Sequence, residues 1–508
     1  MFLHYRIYDG REFYLPQRHE VTKKKFLIYF CPQIFFLLLI PIQSVSAQNN
    51  FVHVNGTKFY LDARRFSFLG FNAYYLQSAA ADSATRYIVD DVFKAAGSVG
   101  FNVIRIWAFY ESSDITPAVI RYSPYGYNES GLSALDYVLS KAKQYNVKLI
   151  LTLANNYSPF GGIPQYTAWA NKYLTKSDNS PFTHNDFFTN DSIKTWYKNY
   201  LELILDRTNI YTSVKYKDDP SIFSFELMNE AVNPGQSSSV IKSWYKEMAG
   251  FFKSIDHNHL LATGEEGYDV PGYSYSNADL FYNSSYFLFN GSKGTSYVEN
   301  SSLPDIDYTT FHLYSGQWNI SYPAGETWIR DHIKISQTLN KPALLGEFGS
   351  TENKASVYNN WLDVIENSDT RSAVVWQYLH PDVKNNDGFG FNLSDAALIS
   401  EFKDFIKIIN EPQTLPQTAN NVELYQNYPN PFNPVTTIKY SLSQNEFVNM
   451  ELYTVLGKKI GTLVNGYQTA GVHEITLSFN SNKYSSGIYI YTLRTPDSFA
   501  CRKLMVLK

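Results

Sequence analysis

The sequence is short of cysteine, of net charge and of long apolar runs, and each shortage excludes a class of protein. Only Cys31 and Cys501 occur among 508 residues. Because Cys31 lies in an apolar N-terminal run, we expect one thiol and no internal disulfide in the mature chain. The net charge of −4 gives no electrostatic case for binding nucleic acid. Beyond the N-terminal region, no segment is apolar enough to span a membrane.

The chain is rich in apolar and aromatic residues, at 44% and 17% of the total. A large core is therefore possible, and the length predicts two or three domains. The 41 tyrosines and 8 tryptophans leave two interpretations open. They are bulky core residues, or they are stacking platforms for flat ligands such as sugar rings.

The N-terminus has the pattern of an export signal. In "KKKFLIYFCPQIFFLLLIPIQSVSAQ" a basic cluster precedes an apolar stretch, and Val45-Ser46-Ala47 ends it with small residues. We expect a signal peptide cleaved after Ala47, and the prolines in the apolar stretch disfavour the alternative of a membrane anchor. The residues before Val21 do not fit a signal peptide, which suggests a later start codon.

From about residue 50, eight short apolar runs alternate with amphipathic stretches. Apolar residues recur in those stretches at three- and four-residue spacing, which is typical of helices. Alternating buried strands and helices predict a parallel sheet covered by helices, and eight units fit a (β/α)8 TIM barrel. An open, doubly wound sheet is the alternative. The eight predicted strands are 66–72, 102–109, 148–156, 221–230, 260–266, 307–314, 342–349 and 373–380.

A Pro-, Gln-, Thr- and Asn-rich stretch, 410–421, is typical of a linker. Beyond it the apolar period becomes two, with turn signals at Gly457, Asn465-Gly466 and Ser486-Gly487. We expect a small all-β, sandwich-like domain. The predicted division is an N-terminal extension and signal peptide (1–47), a catalytic barrel (48–410), a linker (411–421) and a β domain (422–508).

Polar residues end the predicted barrel strands, where catalytic side chains of such barrels lie. Glu230 ends the predicted fourth strand and Glu347 lies at the end of the seventh, on opposite sides of a barrel mouth. Two facing carboxyl groups are what glycoside hydrolysis needs, one as proton donor and one acting at the anomeric carbon. The other polar strand-end residues are Arg105, Trp107, Asn155, Asn156, Asn229, Glu265, Glu266, His312, Tyr314 and Trp376.

Seven stretches in order, over residues 51 to 410, resemble glycoside hydrolase family 5, and within it the endo-β-1,4-mannanase group. They are "FYLDARRFSFLGFNAYYL", "GFNVIRIWAF", "FELMNE", "GEEG", "IDYTTFHLYSGQW", "KPALLGEFG" and "VVWQY". The resemblance implies a retaining hydrolase with the acid/base on strand four and the nucleophile on strand seven. The family usually has proline where this chain has Ala231 and often where it has Ser315, so subsite geometry can differ.

Position by position, the resemblance makes Glu230 the acid/base and Glu347 the nucleophile. It makes Asn229 the residue that holds the sugar 2-hydroxyl, and Trp376 the platform under the sugar at subsite −1. Arg105 and Tyr314 are implied partners of the nucleophile, and His312 of the acid/base. We place Trp107, Asn156 and Trp318 with these substrate-binding residues.

Three other carboxylates allow more than one interpretation. We expect Glu226 to pair with a core arginine rather than to act on substrate. Glu265 and Glu266 could form a metal pair or a second dyad, but we favour loop scaffolding. No His/Asp/Glu spacing specifies a metal, and we expect no cofactor.

The C-terminal segment resembles a type A sorting domain of the type IX secretion system, through "LYQNYPNPFNPVTTIKYSL", "SSGIYIYTL" and the terminal "RKLMVLK". A carbohydrate-binding module is the alternative. Together the resemblances imply a secreted endo-β-1,4-mannanase that acts on mannan, glucomannan or galactomannan and meets the secretion machinery through this domain. We expect a monomer. The alternatives are an endo-β-1,4-glucanase on the same barrel and a non-catalytic glycan-binding protein.

Overall fold

The structure is a computed structural model that describes residues 50–507, with gaps at 63, 274, 276–285, 385–386, 412–422, 443–444, 456–457, 480–484 and 496–498. The predicted signal peptide, the turn at Gly457 and nearly all of the predicted linker lie outside the described residues. Among the helices that the structure describes, none combines the length and the apolar character needed to cross a membrane.

Eight parallel strands form the predicted barrel. Ladder pairing gives the spatial order 5-4-3-2-1-8-7-6. Strands five and six complete the ring through backbone bonds, from Asp307 N to Leu261 O at 2.8 Å and from His312 N to Glu266 O at 3.1 Å. The first to eighth barrel strands are Phe68–Asn72, Val103–Trp107, Lys148–Thr152, Ile222–Glu226, Leu260–Ala262, Thr309–Leu313, Ala343–Phe348 and Ser372–Val375.

Helices cover the barrel because their apolar faces pack on strands that are buried on both sides. Local sequence sets where they begin and end: helix Glu129–Tyr145 starts after Asn128, whose side chain accepts from Ser130 N, and stops at Asn146 in the left-handed region. The helices are Leu76–Ala81, Tyr87–Val99, Glu129–Tyr145, Gly162–Tyr173, His184–Thr189, Asp191–Asp206, Ser238–Lys253, Tyr297–Ser301, Ser315–Trp318, Tyr322–Thr338, Lys354–Glu366 and Ala396–Asn410.

A hairpin closes the end of the barrel at which the strands begin. Its strands, Val52–Asn55 and Lys58–Leu61, place Phe59 in an apolar cluster with residues from inside the barrel. The Phe59 ring meets Phe223 and Tyr308 edge-on, at 5.2 and 5.3 Å between centroids. With this end filled, the open cleft lies at the end where the strands finish.

The C-terminal domain consists of two antiparallel sheets around a separate apolar core, as predicted. One sheet contains Glu423–Leu424, Val435–Leu442 and Gly471–Ser478. The other contains Glu446–Thr454, Lys459–Gln468, Gly487–Arg494 and Phe499–Val506.

The turn predicted at Asn465-Gly466 is wrong. Strand Lys459–Gln468 runs straight through these residues, and Asn465 and Gly466 pair with Asn449 and Val448 on the neighbouring strand. An Asn-Gly pair makes a hairpin turn when its two flanks pair with each other. Here both flanks pair with the same third segment, so the chain stays extended.

Candidate active site

A cleft of about 360 Å³ opens at the end of the barrel where the strands finish. Both predicted glutamates line it, together with residues from loops after several strands. The lining residues are Trp107, Asn155, Tyr157, Pro159, Asn229, Glu230, Glu266, Tyr314, Gln317, Glu347, Trp376, Asp387 and Phe389.

Arg105 lies under the cleft and organises its floor. This guanidinium from the second strand is fully buried and donates to Glu226 Oε2 at 2.7 Å and to Glu347 Oε1 at 2.5 Å. It also donates to Asn229 Oδ1 at 2.8 Å and to Asn72 Oδ1 at 3.0 Å. Glu226 therefore pairs with a core arginine, as expected. A buried charge is tolerated when it is paired and hydrogen-bonded in this way.

Glu347 sits on the seventh strand with a donor on each carboxylate oxygen. Arg105 contacts Oε1, and the Tyr314 hydroxyl donates to Oε2 at 2.5 Å. Burial raises the pKa of Glu347 above its ordinary value. Arg105 and the Tyr314 hydrogen bond oppose that rise because they favour the ionised form.

Glu230 lies four residues beyond the end of the fourth strand, in a segment where the chain turns, and not on the strand as the sequence suggested. Its φ of 56° is in the left-handed region, which costs a non-glycine residue about 1 kcal/mol or more. Its N–H donates to Gly264 O at 2.8 Å, and this bond holds the conformation. The turn directs the carboxyl group into the cleft.

The carboxyl group of Glu230 has a neutral partner. His312 Nδ1 is 2.7 Å from Glu230 Oε1, and burial lowers the pKa of His312 to about 4, so the imidazole is uncharged at neutral pH. Burial raises the pKa of Glu230 to about 7, against the opposing charges of Arg105 and Lys293. In the tautomer that carries its proton on Nδ1, His312 donates to Oε1, and a proton on Glu230 is then carried by Oε2.

The two glutamates lie close enough for direct displacement chemistry. A carboxylate oxygen of Glu230 and one of Glu347 are within 4.8 Å of each other. In retaining glycosidases the carboxyl groups are about 5–5.5 Å apart, whereas inverting enzymes need about 6.5–9.5 Å to admit a water molecule. An oxygen pair this close favours the retaining arrangement.

Glu230, Glu347 and His312 also meet the distance criterion for a metal site. The charge around them opposes a cation, because the Arg105 guanidinium is 2.5 Å from Glu347. Arginine stays protonated at any working pH, so it already supplies the positive charge that a metal would bring.

An aromatic wall forms one side of the cleft. Trp376 stacks on Tyr74 with centroids 5.6 Å apart and planes 10° from parallel, and Tyr74 contacts Trp107 at 4.9 Å. The Trp376 indole N–H donates to Asp387 Oδ2 at 3.1 Å. Phe389 N donates to the other oxygen of Asp387 at 2.9 Å. Asp387 thus fixes the orientation of Trp376, a role that sequence did not reveal.

The opposite wall carries Glu266, which the sequence favoured only as a loop scaffold. Its carboxylate accepts from the Tyr268 hydroxyl at 2.6 Å and lines the cleft. Burial, together with the nearby charge of Glu230, raises its pKa well above the ordinary value. The Lys293 ammonium lies over the rings of Tyr268 and Phe287, 4.9 Å from each centroid.

The neighbouring carboxylate, Glu265, does serve as a scaffold. It is buried, and Asn300 Nδ2 donates to its Oε2 at 3.0 Å. Burial raises the pKa of Glu265 to about 8. The bond joins the segment after the fifth strand to helix Tyr297–Ser301.

Four of the predicted substrate-binding residues lie behind the cleft lining. Arg105 and His312 hold the two glutamates, and Asn156 Oδ1 accepts from Val232 N at 3.2 Å. Trp318 is only 5% exposed and packs edge-on against Tyr314. The other four, Trp107, Asn229, Tyr314 and Trp376, face the cleft.

The two parts of the chain match two different families. Residues 49–390 match the family model described as "GH family 5 beta-mannosidase-like". Residues 426–507 match a "Secretion system C-terminal sorting domain". The second match places the protein in the extracellular space or at the cell surface.

Similar sequences and solved structures come from plants, a fungus and a bacterium. "Mannan endo-1,4-beta-mannosidase 4" of Solanum lycopersicum is 40% identical over 60% of this chain and 74% of its own length. "Mannan endo-1,4-beta-mannosidase 1" of Arabidopsis thaliana is 36% identical over 68% of this chain and 87% of its own length. The endo-1,4-beta-mannanase structure from Rhizomucor miehei has a TM-score of 0.60 and 30% identity, covering 71% of this chain and 99% of that one. The structure of the hyperthermostable endo-1,4-beta-D-mannanase from Thermotoga petrophila has a TM-score of 0.60 and 29% identity, covering 68% of this chain and 100% of that one.

A family match over more than half of the chain, a barrel of the same fold and a cleft that holds two carboxyl groups agree with one another. The chain belongs to glycoside hydrolase family 5, in its β-mannosidase-like group, and is a secreted glycoside hydrolase.

Proposed function

We propose that the cleft cleaves internal β-1,4-mannosidic bonds of mannan, glucomannan or galactomannan, with retention of configuration. The observation that carries the chemistry is the pair of carboxyl groups within 4.8 Å, each in a different electrostatic environment. The substrate class is supported by the names of the relatives in tomato and Arabidopsis. No cofactor takes part, and the protein acts as a monomer that binds no nucleic acid.

Glu347 acts as the nucleophile and Glu230 as the acid/base. A Glu347 oxygen attacks the anomeric carbon while the bond from that carbon to the leaving oxygen breaks. Glu230 Oε2 gives its proton to the leaving oxygen and becomes a carboxylate. In the second step Glu230 takes a proton from water, whose oxygen attacks the anomeric carbon and releases Glu347.

The surroundings of the two glutamates support this division of roles. Glu347 accepts from a guanidinium and a tyrosine hydroxyl, which stabilise the anion that must attack. Glu230 contacts a neutral imidazole, and burial raises its pKa to about 7, which keeps the proton it must donate. A pair whose environments separate the two pKa values is the expected acid/base arrangement.

Asn229 and Trp376 complete subsite −1. Asn229 is held by Arg105 and donates to Asn155 Oδ1 at 3.2 Å, and we assign it the sugar 2-hydroxyl. Trp376, fixed by Asp387 and stacked on Tyr74, supplies the face on which the sugar ring lies.

We keep the predicted division of the chain. A leader of 1–47 is removed, residues 48–410 form the catalytic barrel, 411–421 is the linker, and 422–508 is the sorting domain that engages type IX secretion machinery.

Substrate preference is the first test. Reducing-sugar release from galactomannan, glucomannan and carboxymethylcellulose should be greatest on a mannan-type polymer. Higher turnover on carboxymethylcellulose would favour the endo-glucanase alternative. Tight binding of every polymer without any release of reducing sugar would favour the non-catalytic glycan-binding alternative.

The second test separates the two glutamates. On an aryl mannobioside with a good leaving group, Glu230→Ala should still form the glycosyl-enzyme and then stall, because no base activates water. Added azide should restore turnover and give a β-azide. Glu347→Ala should lose at least about 10²–10⁴-fold on every substrate. An initial α-product by NMR, or β-azide formed by Glu347→Ala, would overturn the assignment.

A further inference from the structure

A second groove lies on the flank of the barrel, between helix Asp191–Asp206 and the loop after the second barrel strand. It encloses about 450 Å³. None of its described lining residues also lines the catalytic cleft. The polar and aromatic groups in it point to a ligand.

Tyr125 provides an exposed ring with a fixed orientation. The side chain is 71% exposed. Its hydroxyl accepts from Trp196 Nε1 at 3.1 Å, and the two rings meet edge-on at 82°. Trp196 is buried, so the Tyr125 ring is anchored to the core although its face is open.

Unpartnered polar groups lie beside this ring. The Tyr127 side chain also lines the groove, but its hydroxyl is shielded from solvent and therefore lies out of reach of a ligand. Asn199 and Glu202 are three residues apart on the same helix face. Within the described part of the chain, neither side chain makes a hydrogen bond or an ion pair. Together the Asn199 amide and the Glu202 carboxylate offer both donors and acceptors.

The other charges of the groove are already compensated. Asp206 pairs with Lys215 and Lys217 at 3.0 and 2.7 Å. Arg207 pairs with Glu129 and Asp136, each at 2.6 Å. A ligand therefore meets an aromatic face and neutral hydrogen-bonding groups with one carboxylate, Glu202, which suits an uncharged molecule with many hydroxyl groups.

We propose that this groove is a secondary binding site for a segment of the neutral β-1,4-linked hexopyranose polymer, separate from the catalytic cleft. Tyr125 stacks on the apolar face of one sugar ring, and the Asn199 and Glu202 side chains bond its hydroxyl groups. The inference rests on the proposed function for the identity of the polymer. Such a site keeps the enzyme on a long chain between cleavage events.

The test uses the full chain carrying Glu230→Gln, so that the polymer is not consumed. Binding to insoluble β-mannan is measured by depletion, with and without Tyr125→Ala, and Tyr173→Ala is the matched control because Tyr173 is 50% exposed and lies outside the groove. Tyr125→Ala should weaken binding by about three- to tenfold, and Tyr173→Ala should not. Tyr125→Phe keeps the ring and should retain most of the binding.

Kinetics with an intact Glu230 give a second readout. Tyr125→Ala should lower turnover of insoluble mannan and leave kcat/KM on a short, soluble mannooligosaccharide unchanged. Glu202→Gln, which keeps the shape but not the charge, should weaken polymer binding less than Glu202→Ala.

The outcomes separate this inference from the proposed function. If mannan is hydrolysed but Tyr125→Ala binds it as tightly as Tyr173→Ala does, the groove proposal is wrong and the function stands. If mannan is not hydrolysed and Tyr125-dependent binding appears on cellulose, the substrate assignment is wrong and the groove proposal stands. A change in oligomeric state caused by Tyr125→Ala, seen by size-exclusion chromatography, would make the groove a self-association surface and overturn the proposal.

Discussion

At the residue scale, Glu230 illustrates how neighbours set the chemistry of a carboxyl group. To donate a proton it must be protonated, and burial raises its pKa to about 7. Activity should therefore fall as the pH rises through about 7. On the acid side, activity should fall as Glu347 becomes protonated. His312 stays neutral over this range because burial lowers its pKa to about 4.

Lys293 offers a way to move only one limb of that pH profile. Its positive charge lowers the pKa of Glu230, so Lys293→Met should raise that pKa and shift the alkaline limb to higher pH. The acid limb should stay in place. The measurement is kcat/KM against pH, with Lys334→Met, at an exposed position on helix Tyr322–Thr338, as the control. An alkaline limb that moves to lower pH would contradict the assignment of Glu230 as the acid.

At the element scale, the loop between the third strand and helix Gly162–Tyr173 places Tyr157 in the cleft wall. Gly162 makes this loop possible, because its φ of 61° is in the left-handed region and its backbone packs closely against other residues of the same loop. A Cβ there would be 2.3 Å from the carbonyl oxygens of Asn155 and Tyr157. Only glycine avoids both the clash and the left-handed strain.

Gly162→Ala should displace this loop and lower the free energy of unfolding by more than about 1 kcal/mol. KM should rise more than kcat falls, because the loop supplies binding groups rather than the reacting carboxyl groups. Gly97→Ala is the matched control: Gly97 is inside helix Tyr87–Val99, and apart from its chain neighbours and the backbone of its own helix no heavy atom lies within 4 Å of the position that an alanine methyl group would take. That change should stabilise the protein by about 0.5–1 kcal/mol. Equal effects of the two substitutions would show that the loop conformation is not required.

At the scale of the whole molecule, catalysis and export should separate. Every residue of the proposed site precedes residue 411, and the two apolar cores of the barrel and the β domain are distinct. Residues 48–410 expressed alone should fold and hydrolyse mannan with a kcat/KM close to that of the longer chain. Deleting 422–508 should abolish export, whereas Glu230→Gln should be exported and inactive. A folded barrel without activity would contradict this division.

Much of this architecture could be predicted because it depends on local periodicity. The spacing of apolar residues that marks strands and helices can be read from short stretches of sequence. The eight barrel units and the all-β C-terminal domain were therefore predicted. Strand ends then located Glu347 and Tyr314, since a parallel barrel brings all those ends to one mouth. The pairing of Glu226 with an arginine was also predicted, because a buried carboxylate needs a compensating charge.

Other features of the site depend on contacts between distant segments, and only the tertiary structure decided them. Irregular loops carry Asp387 into the cleft and bring the charge of Lys293 near Glu230, and the paths of such loops have no periodic signal in sequence. Trp318 was expected in a sugar subsite, but it packs behind Tyr314, because solvent exposure depends on which neighbour covers a ring. Asn465-Gly466 stayed extended because residues of a neighbouring strand, distant in sequence, pair with it. Local sequence thus determined the elements and the two glutamates, whereas long-range packing decided which charges and rings surround them.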